Sequence, residues 1–185
     1  MRIVGGQLRG RALVAPQTTT TRPTSDRVRE SVFNILAHGM PDFVLEGAKV
    51  LDLFAGTGAL GIEALSRGAS FCMFVEEDAQ ARGTIRENVD NLGLTGITKI
   101  FRRDATDLGP AGKYAGYALL FADPPYDYGL APKALASAAS GGWLLPGAIC
   151  VIEDRATSTI TLPPGFTQID ARTWGDTQVA FARFA

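Results

Sequence analysis

Asp123-Pro124-Pro125-Tyr126 is a tetrapeptide whose parts converge on one kind of substrate, an exocyclic amino group on a nucleobase. The Asp123 carboxylate can accept one N–H and the Pro124 carbonyl the other. Tyr126 offers a face for a stacked base, a contact worth roughly 1–3 kcal/mol. Pro124 and Pro125 fix φ and push the residue before each into extended backbone, so the acceptors are preset. An aryl amine is a poor nucleophile because its lone pair is delocalised into the ring. Two acceptors pulling on its hydrogens favour a pyramidal nitrogen able to attack an electrophilic methyl. The plain alternative is a strand-end turn, since Asp-Pro-Pro is ordinary turn chemistry.

A second constellation lies upstream in Val50-Leu51-Asp52-Leu53-Phe54-Ala55-Gly56-Thr57-Gly58-Ala59-Leu60-Gly61. Its glycines leave room for backbone to approach a ligand at the amino end of the following helix. Gly56, Gly58 and Gly61 spell the dinucleotide fingerprint, with Glu76 after the next strand to grip a ribose, so a nicotinamide-dependent oxidoreductase competes. Three features favour S-adenosylmethionine. Asp52 puts a carboxylate where the ligand carries a positive amino group rather than a pyrophosphate. Asp104-Ala105 is placed to accept from an adenine amino group. No hydride-transfer acid follows the loop, since His38 precedes it. Taken singly, Asp52 and Asp104 read equally well as strand-end caps.

The third constellation is electrostatic. Arg2, Arg9, Arg11, Arg22, Arg27 and Arg29 stand against Asp26 and Glu30 in residues 1–30, a net +4. The remaining 12 basic and 17 acidic residues give −5, so a formal charge of −1 conceals a basic arm of the kind that meets nucleic acid. Arg27 and Arg29 flank acids on a helix, and local salt bridges are the alternative for both. Cys72 and Cys150 fall in apolar runs and read as reduced core thiols in a cytoplasmic protein. One histidine and no CxxC argue against a metal site, and no transmembrane run or signal peptide is visible.

These residues need a scaffold, and the pattern supplies one. The chain of 185 residues, 46% hydrophobic, has length enough for a sizeable core. Strands are expected over 49–54, 70–76, 98–102, 117–122 and 148–153. Helices are expected over 59–67, 79–91 and 132–140, and a tail hairpin over 166–185 turns at Gly175-Asp176. The alternation predicts an α/β fold, a doubly wound, mostly parallel seven-stranded sheet with an antiparallel edge. In front, residues 2–14 alternate like a hairpin around Gly5-Gly6 and Gly10. A polar thread covers 17–21, and a helix over 25–38 presents Val28, Val32, Ile35 and Leu36 on one face. Thr24 or Ser25 caps it. Two regions follow: an RNA-binding hairpin-and-helix extension over 1–40 packed on the core, and a catalytic domain over 41–185.

Asp52-x-Phe54-x-Gly56-x-Gly58, Glu76, Asp104 and the Asp123 tetrapeptide, in that order, resemble the S-adenosylmethionine-dependent amino-group methyltransferases, whose sheet is Rossmann-like. Arg2-Ile3-Val4-Gly5-Gly6-Gln7-Leu8-Arg9-Gly10-Arg11 and Arg22-Pro23-Thr24-Ser25-Asp26-Arg27-Val28-Arg29-Glu30 resemble the opening of the RsmD family, which methylates guanine N2 in small-subunit ribosomal RNA. The likeness runs along essentially the whole chain. It implies that Glu76 holds the ribose hydroxyls, with Glu77 and Asp78 as neighbouring acids, and that Asp104 and Ala105 meet the adenine. Asp52, Phe54, Ala55, Gly56 and Gly58 would line the cofactor, with Thr24 near its methionine end. It further implies a monomer acting on the assembled subunit, ribosomal proteins near the target, and the six arginines on phosphates. Asp127-Tyr128-Gly129 departs from the family, being acidic where some relatives are basic. A DNA adenine-N6 or cytosine-N4 methyltransferase is the alternative, though no target-recognition insert is visible.

Overall fold

The structure, a computed structural model, describes residues 1–16 and 24–185. Lys49–Leu53 (β1), Phe71–Val75 (β2), Thr98–Phe101 (β3) and Tyr117–Ala122 (β4) form parallel strands, with Leu144–Arg155 (β5) continuing them. Phe166–Trp174 (β6) and Thr177–Phe184 (β7) close the edge as an antiparallel hairpin. The order across the sheet is β3-β2-β1-β4-β5-β7-β6. The chain winds one way from β1 to β3 and then the other way from β4, so β1 and β4 flank the switch point where open α/β sheets bind ligands.

Helices Asp26–His38 (α1), Ala59–Ser66 (α2), Ala79–Asn91 (α3) and Leu130–Ser140 (α4) complete the fold. β1, β2 and β4 are almost wholly buried, which is why they read as largely apolar runs, whereas the edge strand β3 is half-buried. Val50, Cys72, Phe74, Leu119 and Phe121 belong to one core layer with α1, α2 and α3, whereas Leu51, Leu53, Met73, Val75 and Leu120 join the layer with α4. Residues of the amino-terminal extension, Ile3, Leu13, Val32, Phe33 and Leu36, are part of the first layer. Phe33 stacks at 5.7 Å on Phe121, fixing α1 beneath the strand that carries the tetrapeptide.

Two expectations change. β5 starts earlier than residue 148, because Pro146-Gly147 disguises its first half. The irregularity falls there: Tyr117 pairs with Leu144, then Leu119 with Ile149. The amino-terminal hairpin forms, but around a single antiparallel bridge, Arg2↔Ala12, rather than two full strands: Ile3 donates to Arg11 and Leu13 to Met1 at 2.9 Å each, and Gly10 to Ile3 at 2.8 Å. The turn between them is held by α2. Val4 and Gly5 donate to the two Glu63 oxygens at 2.9 Å each, Leu8 donates to Ser66 Oγ at 2.9 Å, and Gln7 donates to the Ser66 carbonyl at 2.8 Å. A Cβ on Gly6 would lie 2.0 Å from the Ser66 oxygen, so no side chain fits there.

Candidate active site

The glycine loop leaves β1 and the tetrapeptide leaves β4, and register puts Leu53 opposite Ala122. The two sequence constellations therefore emerge side by side. Phe54 takes φ 55°, a rare left-handed conformation for a bulky residue and a mark of a shaped turn. Ala55 donates to Val75 at 3.2 Å and accepts from Gly58 at 2.8 Å. Gly56, at φ 58°, has open space where a Cβ would stand, its nearest atom 4.0 Å away. That is the room a ligand needs. Gly58, at φ 80°, is the N-cap of α2 with no side-chain cap. Gly61 serves packing, because a Cβ there would meet Cys72 Sγ and Phe74 at 2.5 Å.

Glu76 is half-buried, and its Oε1 accepts from the Gly56 amide at 2.8 Å while Oε2 accepts from Asp78 at 3.1 Å. Its neighbours are used otherwise: Glu77 is exposed, and Asp78 caps α3 through Ala81. Asp104, after β3, is exposed, with Oδ1 held by Thr106 at 2.7–2.8 Å. Ala105, at 4% exposure, turns its side chain into the core, which leaves its backbone for a ligand. Asp52 is corrected. At 1% exposure its carboxyl is sealed, and Oδ2 accepts from Gly61 at 3.0 Å, so it braces the loop rather than facing a ligand's amino group.

In the tetrapeptide, Pro124 is buried, Pro125 exposed, and Asp123 and Tyr126 half-buried. The Arg155 guanidinium lies 5.5 Å over the Tyr126 ring and pairs with Asp127 at 3.0 Å, so one ring face is taken. Ser25, not Thr24, caps α1 through Val28 at 3.1 Å. The Thr24 hydroxyl is left for the site, 3.2 Å from Asp123 Oδ2 and 2.6 Å from Glu153 Oε2. Burial raises the Asp123 carboxyl well above its ordinary range, the Glu153 carboxylate adds to this, the Thr24 hydroxyl opposes it, and Asp52 contributes more distantly. Glu76, Asp52, Asp123 and Glu153 thus form a row of acids at the ends of β2, β1, β4 and β5.

Among the arginines, Arg2, Arg9, Arg11 and Arg27 are exposed, whereas Arg22 lies outside the described residues. Arg29 is corrected. It is fully buried, with Nε on Glu63 at 3.2 Å, Nη2 on Asp26 at 2.9 Å and on the Arg2 carbonyl. A phosphate cannot reach it. Its spacing to Phe33 and Leu36 placed it on the apolar face, a signal that its charge hid. Glu153 and Asn88 were not foreseen as functional. Asn88 takes Val14 N at 2.7 Å and donates to the carbonyls of Val14 and Thr57 at 3.1 Å, clamping the extension to the glycine loop.

A family model described as Conserved hypothetical protein 95 matches residues 1–183. Ribosomal RNA small subunit methyltransferase D of Escherichia coli K12 is 36% identical over 164 residues, 89% of this chain and 79% of that one. The chain belongs to this family, RsmD. A putative rRNA methyltransferase of Bacillus subtilis, YlbH, is 44% identical over 128 residues, 68% of this chain and 67% of the relative. The solved structure of the putative methyltransferase YhhF from Escherichia coli superposes with a TM-score of 0.84 at 31% identity, covering 100% of this chain and 97% of that one. The fold is therefore the seven-stranded RsmD-family one from end to end, with the extension included.

Proposed function

We propose that this chain transfers a methyl group from S-adenosylmethionine to N2 of a guanine in small-subunit ribosomal RNA. The observation that carries the reading is the emergence of the Asp123 tetrapeptide from β4 directly beside the glycine loop from β1. The acid row supports the cofactor. Glu76 and Asp123, half-buried carboxyls at the ends of β2 and β4, favour a ligand carrying positive charge and oppose a pyrophosphate, which counts against the nicotinamide reading. When bound, the cofactor supplies an electrophilic sulfonium methyl. Gly56 leaves it room, Glu76 takes ribose hydroxyls on its remaining lone pairs, and Asp104 accepts from the adenine amino group.

The target base leaves its stack, as base-modifying enzymes require, and lies on the Tyr126 face that Arg155 leaves open. Its N2 hydrogens meet Asp123 and the Pro124 carbonyl. Arg2, Arg9, Arg11 and Arg27 hold phosphates across the 1–40 arm, supplying affinity without sequence information. The reading extends to a monomer acting on the assembled small subunit in the cytoplasm, with ribosomal protein near the target.

Labelled S-adenosylmethionine, offered with unmethylated small subunits, free ribosomal RNA and duplex DNA, tests it after digestion to nucleosides. N2-methylguanosine from subunits is expected. N6-methyladenine or N4-methylcytosine from DNA would leave fold and cofactor standing and refute the ribosomal target. Asp123→Ala should lose at least about 100-fold in rate while still binding cofactor. Methylation at the wild-type rate would refute the role of the tetrapeptide.

A further inference from the structure

Beyond the tetrapeptide the chain turns sharply before α4. Asp127 takes φ 71° and Gly129 φ 61°, so left-handed backbone brackets Tyr128. Among the described residues Asp127 and Phe54 are the only non-glycines at positive φ, and they stand in the loops after β4 and β1, the two strands that carry the site. Such strain is kept where a loop must hold a particular shape. The Asp127 carboxylate accepts from Arg155 Nη2 at 3.0 Å, and the Arg155 guanidinium lies 5.5 Å over the Tyr126 ring. Arg155 is the last residue of β5, so a strut from the neighbouring strand ties the loop to the tetrapeptide and neutralises the loop's acid. What the loop displays is Tyr128, 71% exposed and two residues from Tyr126, a chain span of at most about 7 Å. A single exposed tyrosine is ordinary on a protein surface. This one is held at the mouth of the base pocket by left-handed backbone and by the strut.

We propose that Tyr128 is a second stacking platform, which takes the unpaired base next to the target while Tyr126 takes the target itself. This rests on the methyltransferase reading above. A base that leaves its stack bares one face of its neighbour in the strand. An aromatic ring one nucleotide away covers that face, and it does so whatever the sequence, because every base has a π-face. The platform therefore selects single-stranded RNA over duplex, whose stacked bases present no free face. Arg155 is a positioning residue here: it holds Asp127, and through Asp127 the posture of Tyr128.

Fluorescence anisotropy of a labelled short oligouridylate with one central guanine, in the presence of S-adenosylhomocysteine, reads the platform without turnover. Tyr128→Ala should weaken binding of this single strand roughly 5- to 150-fold and leave binding of a duplex of the same length unchanged. Tyr128→Phe, which keeps the ring, should restore the wild-type affinity. Equal affinities of wild type and Tyr128→Ala, an equal loss on single strand and duplex, or a wild type that binds the single strand no tighter than the duplex would each overturn the proposal. A 5-iodouridine placed beside the guanine should photocrosslink to Tyr128; crosslinks confined to other residues would sink it as well. Arg155→Ala should lose affinity by itself and lose little more once Tyr128→Ala is present, and additive losses would refute the positioning role. Methyl label found in DNA rather than ribosomal RNA, with the Tyr128 crosslink intact, would fault the substrate reading and not the platform.

Discussion

Asp52 and Thr24 show how little a residue's type says about its work. Thr24 stands at a helix start, where threonine ordinarily caps, yet Ser25 does the capping and Thr24 joins two acids of the site. Asp52 looks like a ligand-facing acid and is instead sealed against α2. Burial, chiefly, and the Glu76 charge hold its carboxyl well above the ordinary value, with the Gly61 amide pulling the other way. A carboxyl raised in the folded state favours folding while protonated, below the unfolded value near pH 4. That contribution is lost as pH climbs toward the folded value. Asp52→Asn keeps an oxygen for the Gly61 amide and removes the charge. Its melting temperature should exceed that of the wild type at about pH 7.5, by roughly 2–4 °C per kcal/mol relieved, with the gap closing toward about pH 4. Thermal melts across that range check it, and a gap independent of pH would contradict it.

At the scale of elements, α2 is the part on which the site and the extension both depend. Its amino end holds the glycine loop, and its middle offers Glu63, fully buried, which accepts from Val4, Gly5, Arg29 and Arg67. Removing Arg29 would leave that carboxylate to Arg67 and two amides, take away its fully buried cation, and empty the volume the side chain fills. Arg29→Ala should therefore cost about 3–5 kcal/mol, whereas Arg27→Ala, two residues away and exposed, should stay within about 0.5 kcal/mol. Urea unfolding separates the two, and similar losses would refute the assignment. The same helix explains why the hairpin expected over 2–14 stays short: Ile3 pairs with Arg11 and Leu13 with Met1, while the amides of Val4 and Gly5 go to Glu63. Alternation and glycines in a sequence indicate a turn-rich extended segment, but they do not say whether its amides pair with one another or with a carboxylate some sixty residues along the chain.

At the scale of the whole molecule, charge is divided: basic side chains lie on the extension, and acids line the carboxyl ends of the strands. Phosphate binding should then be steeply salt-dependent. Arg9→Ala and Arg11→Ala should each lower the slope of log affinity against log salt by about 0.7–1 on ribosomal RNA. Filter binding at several salt concentrations measures it; unchanged slopes would place the RNA on another face. The alternation of strand and helix, the glycine loop, the tetrapeptide and the basic arm were all legible in the chain, because each is written in local spacing and side-chain chemistry. Register and burial were not. Arg27 and Arg29 are alike in the sequence, but two residues of helix rotate them about 200° apart, one to solvent and one to Glu63. Glu153 reads only as the last residue of a strand, and it became part of the site when β5 paired with β4 and set it beside Asp123. Which strand ends meet is decided by nonlocal pairing, and no local pattern encodes that.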